Sequence, residues 1–190
     1  MLTERAPRNS ASRQEFLKSD MLTSLPVPLD DRLREQAKSI ASALEEGTAA
    51  GLQPVCAGFL SVAADFYGVE RPGIRVLAAR PLRVREGGWA SELFGDYSPE
   101  TLHIRVWMRT AVRKQVTSFG TLMSTLCHEF CHHLDYQRFK LRDSWHTRGF
   151  YERTAALYHH ARGTPAKRLF WVQMPGGRWR IDWLRTQRGS

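Results

Sequence analysis

Apolar positions along this chain recur in two spacings, and each spacing predicts a different kind of element. Leu33, Ala37, Ile40 and Leu44 stand three or four apart and predict a helix over about 31–46, capped by Asp30 or Asp31 and ended by Gly47 and Gly51. Val55, Phe59, Leu60 and Ala63 predict a second helix over about 54–66, stopped at Gly68. Phe119, Leu122, Met123, Leu126, Phe130 and Leu134 predict a third over about 118–137, with no internal proline and Ser118 as candidate N-cap. Phe150, Thr154, Leu157 and Tyr158 predict a fourth over about 147–160.

The second spacing is alternation. Ile74 to Ala78 follows the turn signal Pro72-Gly73 and reads as a strand, and Leu82-Arg83-Val84-Arg85 alternates after Pro81. Gly87-Gly88-Trp89-Ala90 reads as a turn. Segments 92–97 and 101–108 predict a hairpin about Ser98-Pro99-Glu100, with Leu102, Ile104 and Val106 alternating with His103, Arg105 and Trp107. After the breakers Gly163 and Pro165, segments 169–174 and 178–183 flank Pro175-Gly176-Gly177 as a second hairpin. The order predicts an α+β fold of zincin-like type. N-terminal helices come first, then a small mixed β-sheet, two helices across it, and a C-terminal β-hairpin. Residues 1–28 read as a flexible basic tail, 29–165 as one domain, and 166–190 as the hairpin and its tail.

The third helix carries the candidate chemistry. It contains His128-Glu129-x-x-His132, and residues four apart lie on one helix face. His128 and His132 can therefore grip one metal ion. Glu129 follows the first ligand, close enough to serve as general base toward a water at that metal. This is the zinc metallopeptidase arrangement, with Zn²⁺ as the expected cofactor. A catalytic zinc needs a third protein ligand and one open position. His146 is the best candidate, 14 residues after His132, at the edge of the fourth helix. Asp135 can replace it or hydrogen-bond a ligand histidine, and the second role is preferred. Phe150 should point into the core below His146.

In these residues the chain resembles the SprT-like metallopeptidases, which include the Spartan proteases. They too carry His-Glu-x-x-His on one helix and a third His at the start of the next, with Phe four residues on, as in His146 and Phe150. Upstream they carry a strand with an Ile-Arg segment, here Ile104-Arg105. The resemblance covers roughly residues 90–160. It implies a zincin-like fold and peptide-bond hydrolysis with His128, His132 and His146 as metal ligands and Glu129 as base. The loop between His132 and His146 is shorter than in Spartan, and the cysteine-bearing zinc ribbon of some members is missing from this sequence.

Composition adds partners. A net charge of +9 in 190 residues favours anionic partners, nucleic acid among them, as well as solubility. In the C-terminal hairpin Phe170, Trp171, Trp179 and Trp183 interleave with Arg168, Arg178, Arg180 and Arg185, a pattern that can stack single-stranded DNA. The plainer reading packs one aromatic face on the core and solvates the arginines. Three cysteines without framework spacing fit a reduced protein, and Cys127 and Cys131 read as small apolar packing on the metal helix. No apolar run approaching membrane length and no secretory signal are legible, so the expectation is a cytoplasmic protein with a protein or peptide substrate, possible DNA and no membrane. Two rivals stand beside the peptidase: a nucleic-acid-binding module with a structural zinc, and a metal hydrolase acting on a non-peptide substrate.

Overall fold

The computed structural model describes residues 1–84 and 90–189, and the turn expected at Gly87-Gly88-Trp89 lies outside them. The architecture is mixed α+β. Helices α1 (Ser10–Met21), α2 (Arg32–Glu46) and α3 (Ala49–Tyr67) precede strands β1 (Gly73–Ala79), β2 (Leu82–Val84), β3 (Ala90–Glu92), β4 (Gly95–Ser98) and β5 (His103–Arg109). Helices α4 (Phe119–Gln137) and α5 (Arg148–Arg162) follow. The hairpin β6 (Trp171–Met174) and β7 (Arg178–Ile181) and the short α6 (Trp183–Arg188) close the chain.

The main sheet runs β1-β5-β4. β1 is parallel to β5, with Gly73 opposite His103, and β4 is antiparallel to it, with Gly95 opposite Val106. Ile104, Val106 and Met108 of β5 are buried in one continuous core with Leu33, Ile40, Phe59, Leu60, Leu122, Leu126 and Phe130. That core joins α2 and α3 to the metal helix α4, which rests on β4 and β5. The sequence pattern predicted segment 101–108 as one arm of a hairpin. The structure places β5 in the middle, and the edge strand nearest α4 is β4.

Helix α3 begins at Ala49, five residues before the predicted start, because the hydroxyl of Thr48 accepts from Gly51 N at 3.2 Å and caps it there. Pro54 sits inside it. With 19 residues and a mean hydropathy of 1.3, α3 is long and apolar enough to cross a membrane by length and composition, contrary to the sequence expectation. Its buried face, from Leu52 through Cys56 and Phe59 to Tyr67, packs on α2 and β1 as a core helix.

The expected N-terminal tail is folded. Asn9 caps α1 by accepting from Ala11 N and Ser12 N. The helix buries only Phe16 and Ser19, so it has no apolar stripe to betray it in sequence. It is fastened instead by polar bonds to α5: Asp20 pairs with Arg148, and buried Arg153 donates to Ser19 O at 3.1 Å. Gly149 permits the approach, since a Cβ there would collide with the carbonyls of Ser19 and Leu22. Residues 1–4 then run beside the C-terminal hairpin: Leu2 bridges to Arg180, Thr3 N donates to Trp179 O, and Trp179 N returns a bond to Thr3 Oγ1.

Candidate metal centre

Helix α4 starts where Ser118 Oγ accepts from Thr121 N, and helix α5 starts where Thr147 Oγ1 accepts from Phe150 N. His128 and His132 project from one face of α4, and His146 stands immediately before the cap of α5. Their Nε2 atoms converge: His128 to His146 is 3.0 Å, His132 to His128 is 3.2 Å, and His132 to His146 is 3.2 Å. A tetrahedral ion with bonds of about 2.0–2.1 Å would set its ligand atoms roughly 3.3 Å apart. The triangle is close to that size. Among the described residues these three form the group able to hold a metal.

The outer ring nitrogens decide whether the donor set fits a cation. His146 Nδ1 lies 2.6 Å from Glu4 Oε1, and a carboxylate accepts, so Nδ1 carries the proton and Nε2 a lone pair. His132 Nδ1 lies 2.7 Å from Ser144 Oγ, whose own proton goes to Asp135 Oδ2 at 3.0 Å. Nδ1 of His132 is therefore also the donor, and its Nε2 also bears a lone pair. Lone pairs aimed at one point repel one another unless a cation sits between them. The triad fits a divalent ion on this ground.

Burial makes the histidines poor proton acceptors. It pushes His128 down to about 3, with the neighbouring His146 adding to the effect, and it pushes His132 well below its ordinary value. The rings rest on Phe150, whose centroid is 4.9 Å from His128, 4.5 Å from His132 and 5.2 Å from His146. Phe150 is fully buried, as expected, and forms the apolar floor of the site.

Glu129 is 6% exposed, and no protein donor bonds its carboxylate among the described residues. Burial, then the charge of Asp96, raises it to about 8. A cation among the imidazoles would pull it back toward ionisation. The carboxylate opens into a groove of about 990 Å³ that also exposes His128, His132 and His146. One wall is the β4 edge, from Leu93 to Tyr97. The other carries Ser144, Trp183 and Met1. Gly95 makes room for Glu129: an added Cβ would stand 2.9 Å from Oε1 and 2.6 Å from Thr125 Cγ2.

The remaining candidates fall away from the metal. Asp135 reaches the site only through Ser144, and its other oxygen binds Arg153 at 2.7 Å in a fully buried ion pair. Ser144 holds its bridging position at φ +29°, in the left-handed region, fixed by the two hydrogen bonds it shares. His133 is fully buried between Tyr97 Oη and the carbonyl of Glu70. Cys127 and Cys131 are free, buried core residues, as expected. Tyr151 stacks on His146 but sends its hydroxyl to Leu2 O, away from the groove. His103 is exposed, as predicted.

Three of the four aromatics of the C-terminal segment are engaged within the chain, and Trp183 is exposed. Trp171 Nε1 donates to Glu152, Arg148 covers Trp179 at 4.6 Å, and Phe170 lies between Arg168 at 5.2 Å and Arg185 at 4.6 Å. Glu4, Ser144 and Gly95 are the site residues that the sequence reading missed. Ser144 stood in a polar turn of the right length. Glu4 and Gly95 carry no local signal. No family model, curated protein or solved structure matches this chain.

Proposed function

We propose that this protein is a zinc-dependent metallopeptidase of zincin-like fold, related to the SprT-like group. The observation that carries the reading is the convergence of three Nε2 atoms, two of them fixed as lone-pair donors, beside an unbonded, groove-facing Glu129. His128, His132 and His146 would hold the ion. When bound, it would supply Lewis acidity and a nucleophilic water at neutral pH. Glu129 takes a proton from the attacking water and passes it to the leaving amine. The β4 edge offers backbone groups along which an extended peptide can pair. Ser144 and Glu4 hold the outer ring nitrogens, so the imidazoles meet the ion without reorientation.

Two observations favour an open, catalytic site over a closed structural one. A structural zinc is normally closed by four protein ligands. Asp135 and His133 are bonded elsewhere, Cys131 is buried in the core, and the triad faces the groove. Phe170 and Trp179 lie against arginines of the chain itself, while Trp183 is exposed, so the hairpin offers fewer free stacking surfaces to single-stranded DNA than its sequence pattern suggests.

The test combines metal content with hydrolysis. Wild type should bind about one Zn²⁺ per chain, and His146→Ala should lose it. Glu129→Gln should keep zinc and melting temperature while cleavage of unfolded casein falls by about 10²-fold or more. Equal cleavage by wild type and Glu129→Gln would end the proposed mechanism.

A further inference from the structure

The third histidine of the triad is the one least supported by its own helix. His128 and His132 are locked within α4, whereas His146 precedes α5 and lies at the end of a loop with two residues, Lys140 and Ser144, at positive φ. Its support comes from the far end of the chain. Glu4 N donates to His146 O at 3.0 Å, and Glu4 Oε1 accepts from His146 Nδ1 at 2.6 Å. The same residue therefore grips the backbone and the ring of one histidine. Glu4 is placed in turn by the C-terminal hairpin. Thr3 exchanges two bonds with Trp179, each 2.8 Å, and Ile181 N donates to Met1 O at 3.3 Å. The hydroxyl of Tyr151, whose ring stacks on His146, donates to Leu2 O.

We infer that Glu4 is a positioning residue of the metal centre, presenting His146 through Nε2, and that the N-terminal segment is held for this task as a third strand on the hairpin β6–β7. The inference rests on the metal reading of the triad and is independent of what the site hydrolyses. Two consequences follow. A ring whose Nδ1–H is held by a carboxylate is fixed in tautomer and orientation and is a more basic ligand, and loss of such a partner typically weakens metal binding 10–100-fold. Metal binding and docking of residues 1–4 must also strengthen each other, since coupling between two equilibria is reciprocal.

The experiment is a competition titration of Zn²⁺ against a chromophoric chelator, using the full chain. Wild type, His146→Ala, Glu4→Ala and Glu4→Gln are compared. Glu4→Ala should weaken zinc binding by about 10–100-fold. Glu4→Gln should recover much of that loss, because its amide oxygen still accepts the Nδ1 proton. A role confined to folding predicts no such rescue, since both variants keep the backbone bond to His146 O. Zinc should also slow hydrogen exchange at the amides of Thr3 and Trp179 in wild type, and much less in Glu4→Ala. Wild-type affinity in Glu4→Ala overturns the inference, and so does an equal loss in Glu4→Ala and Glu4→Gln. If wild type binds zinc no better than His146→Ala, the metal reading itself fails, a result separable from the others.

Discussion

Gly95 offers a sharp test, because it acts on Glu129 without touching a metal ligand. A methyl group at this position would lie 2.6 Å from Thr125 Cγ2, 2.9 Å from Glu129 Oε1 and 3.0 Å from Glu129 Cγ. Carbon atoms in contact prefer about 3.5–4.0 Å, so something must move by roughly 1 Å. Thr125 resists, since it stands on α4 and its hydroxyl bonds Thr121 O at 2.9 Å. The long Glu129 side chain gives way, and the β4 backbone must shift as well to relieve the contact with Thr125. A misplacement of about 1 Å in catalytic geometry costs about 10²-fold in rate. Gly95→Ala should therefore lower casein hydrolysis by about 10²-fold and keep zinc content. Overpacking should cost about 1–3 kcal/mol of stability, read by urea titration. The mechanism can be isolated by a double mutant. In a Glu129→Gln background the same Gly95→Ala change should cost little more activity, because effects within one catalytic unit are not additive. Full activity in a zinc-loaded Gly95→Ala protein would refute the placement of Glu129 as the working base.

Two further outcomes are expected. Burial holds His128 at about 3 and also lowers His132 and His133, so below about pH 6.5 the unfolded chain takes up protons that the folded chain refuses. Glu129, raised to about 8, holds a proton in the folded chain over the same range and offsets one excluded histidine. With both His128 and His132 excluded, stability of the zinc-free protein should still fall as pH drops from about 6.5 to 5, by about 1.4 kcal/mol per pH unit, and a flat urea midpoint over that range would contradict it. Asp135→Asn should destabilise by about 3–5 kcal/mol, because it leaves Arg153 buried without its counter-charge, and a loss below 1 kcal/mol would show that the pair is not desolvated as described.

The sequence made the inner ligand set legible because helical spacing is local. A spacing of four from His128 to His132, and a helix predicted to start just after His146, are enough to predict which side chains share a face. What holds those ligands was not legible. Glu4 is separated from His146 by 142 positions, and α1 from Arg153 by more than a hundred. Such partners are chosen by tertiary packing, and a polar, stripe-free helix such as α1 gives no periodic signal. The hairpin's Arg and Trp alternation was read correctly as a strand pattern. Its partners were not, because stacking of Arg148 on Trp179 joins segments far apart in sequence. The central place of β5 in the sheet was not legible for a related reason. Alternation shows that β5 has two faces, and it says nothing of how many neighbours pair with its backbone.

The distribution of polar partners around the triad bears on what the site is for. A site meant only to hold a metal would gain most from a fourth protein donor, and three candidates lie within a turn of the ligands. Each is committed elsewhere by an interaction costly to break. Asp135 is tied to buried Arg153 and to Ser144, His133 to the Glu70 carbonyl and Tyr97, and Cys131 is shut in the core. Buried Glu129 has no protein donor among the described residues, and it faces the groove. Burying a carboxylate unbonded carries a penalty, visible in its rise to about 8. The small-residue slot at Gly95 keeps it there rather than letting it turn to solvent. A carboxylate retained at such a cost, beside three convergent imidazole nitrogens, is more economically explained by proton transfer at a bound metal than by packing.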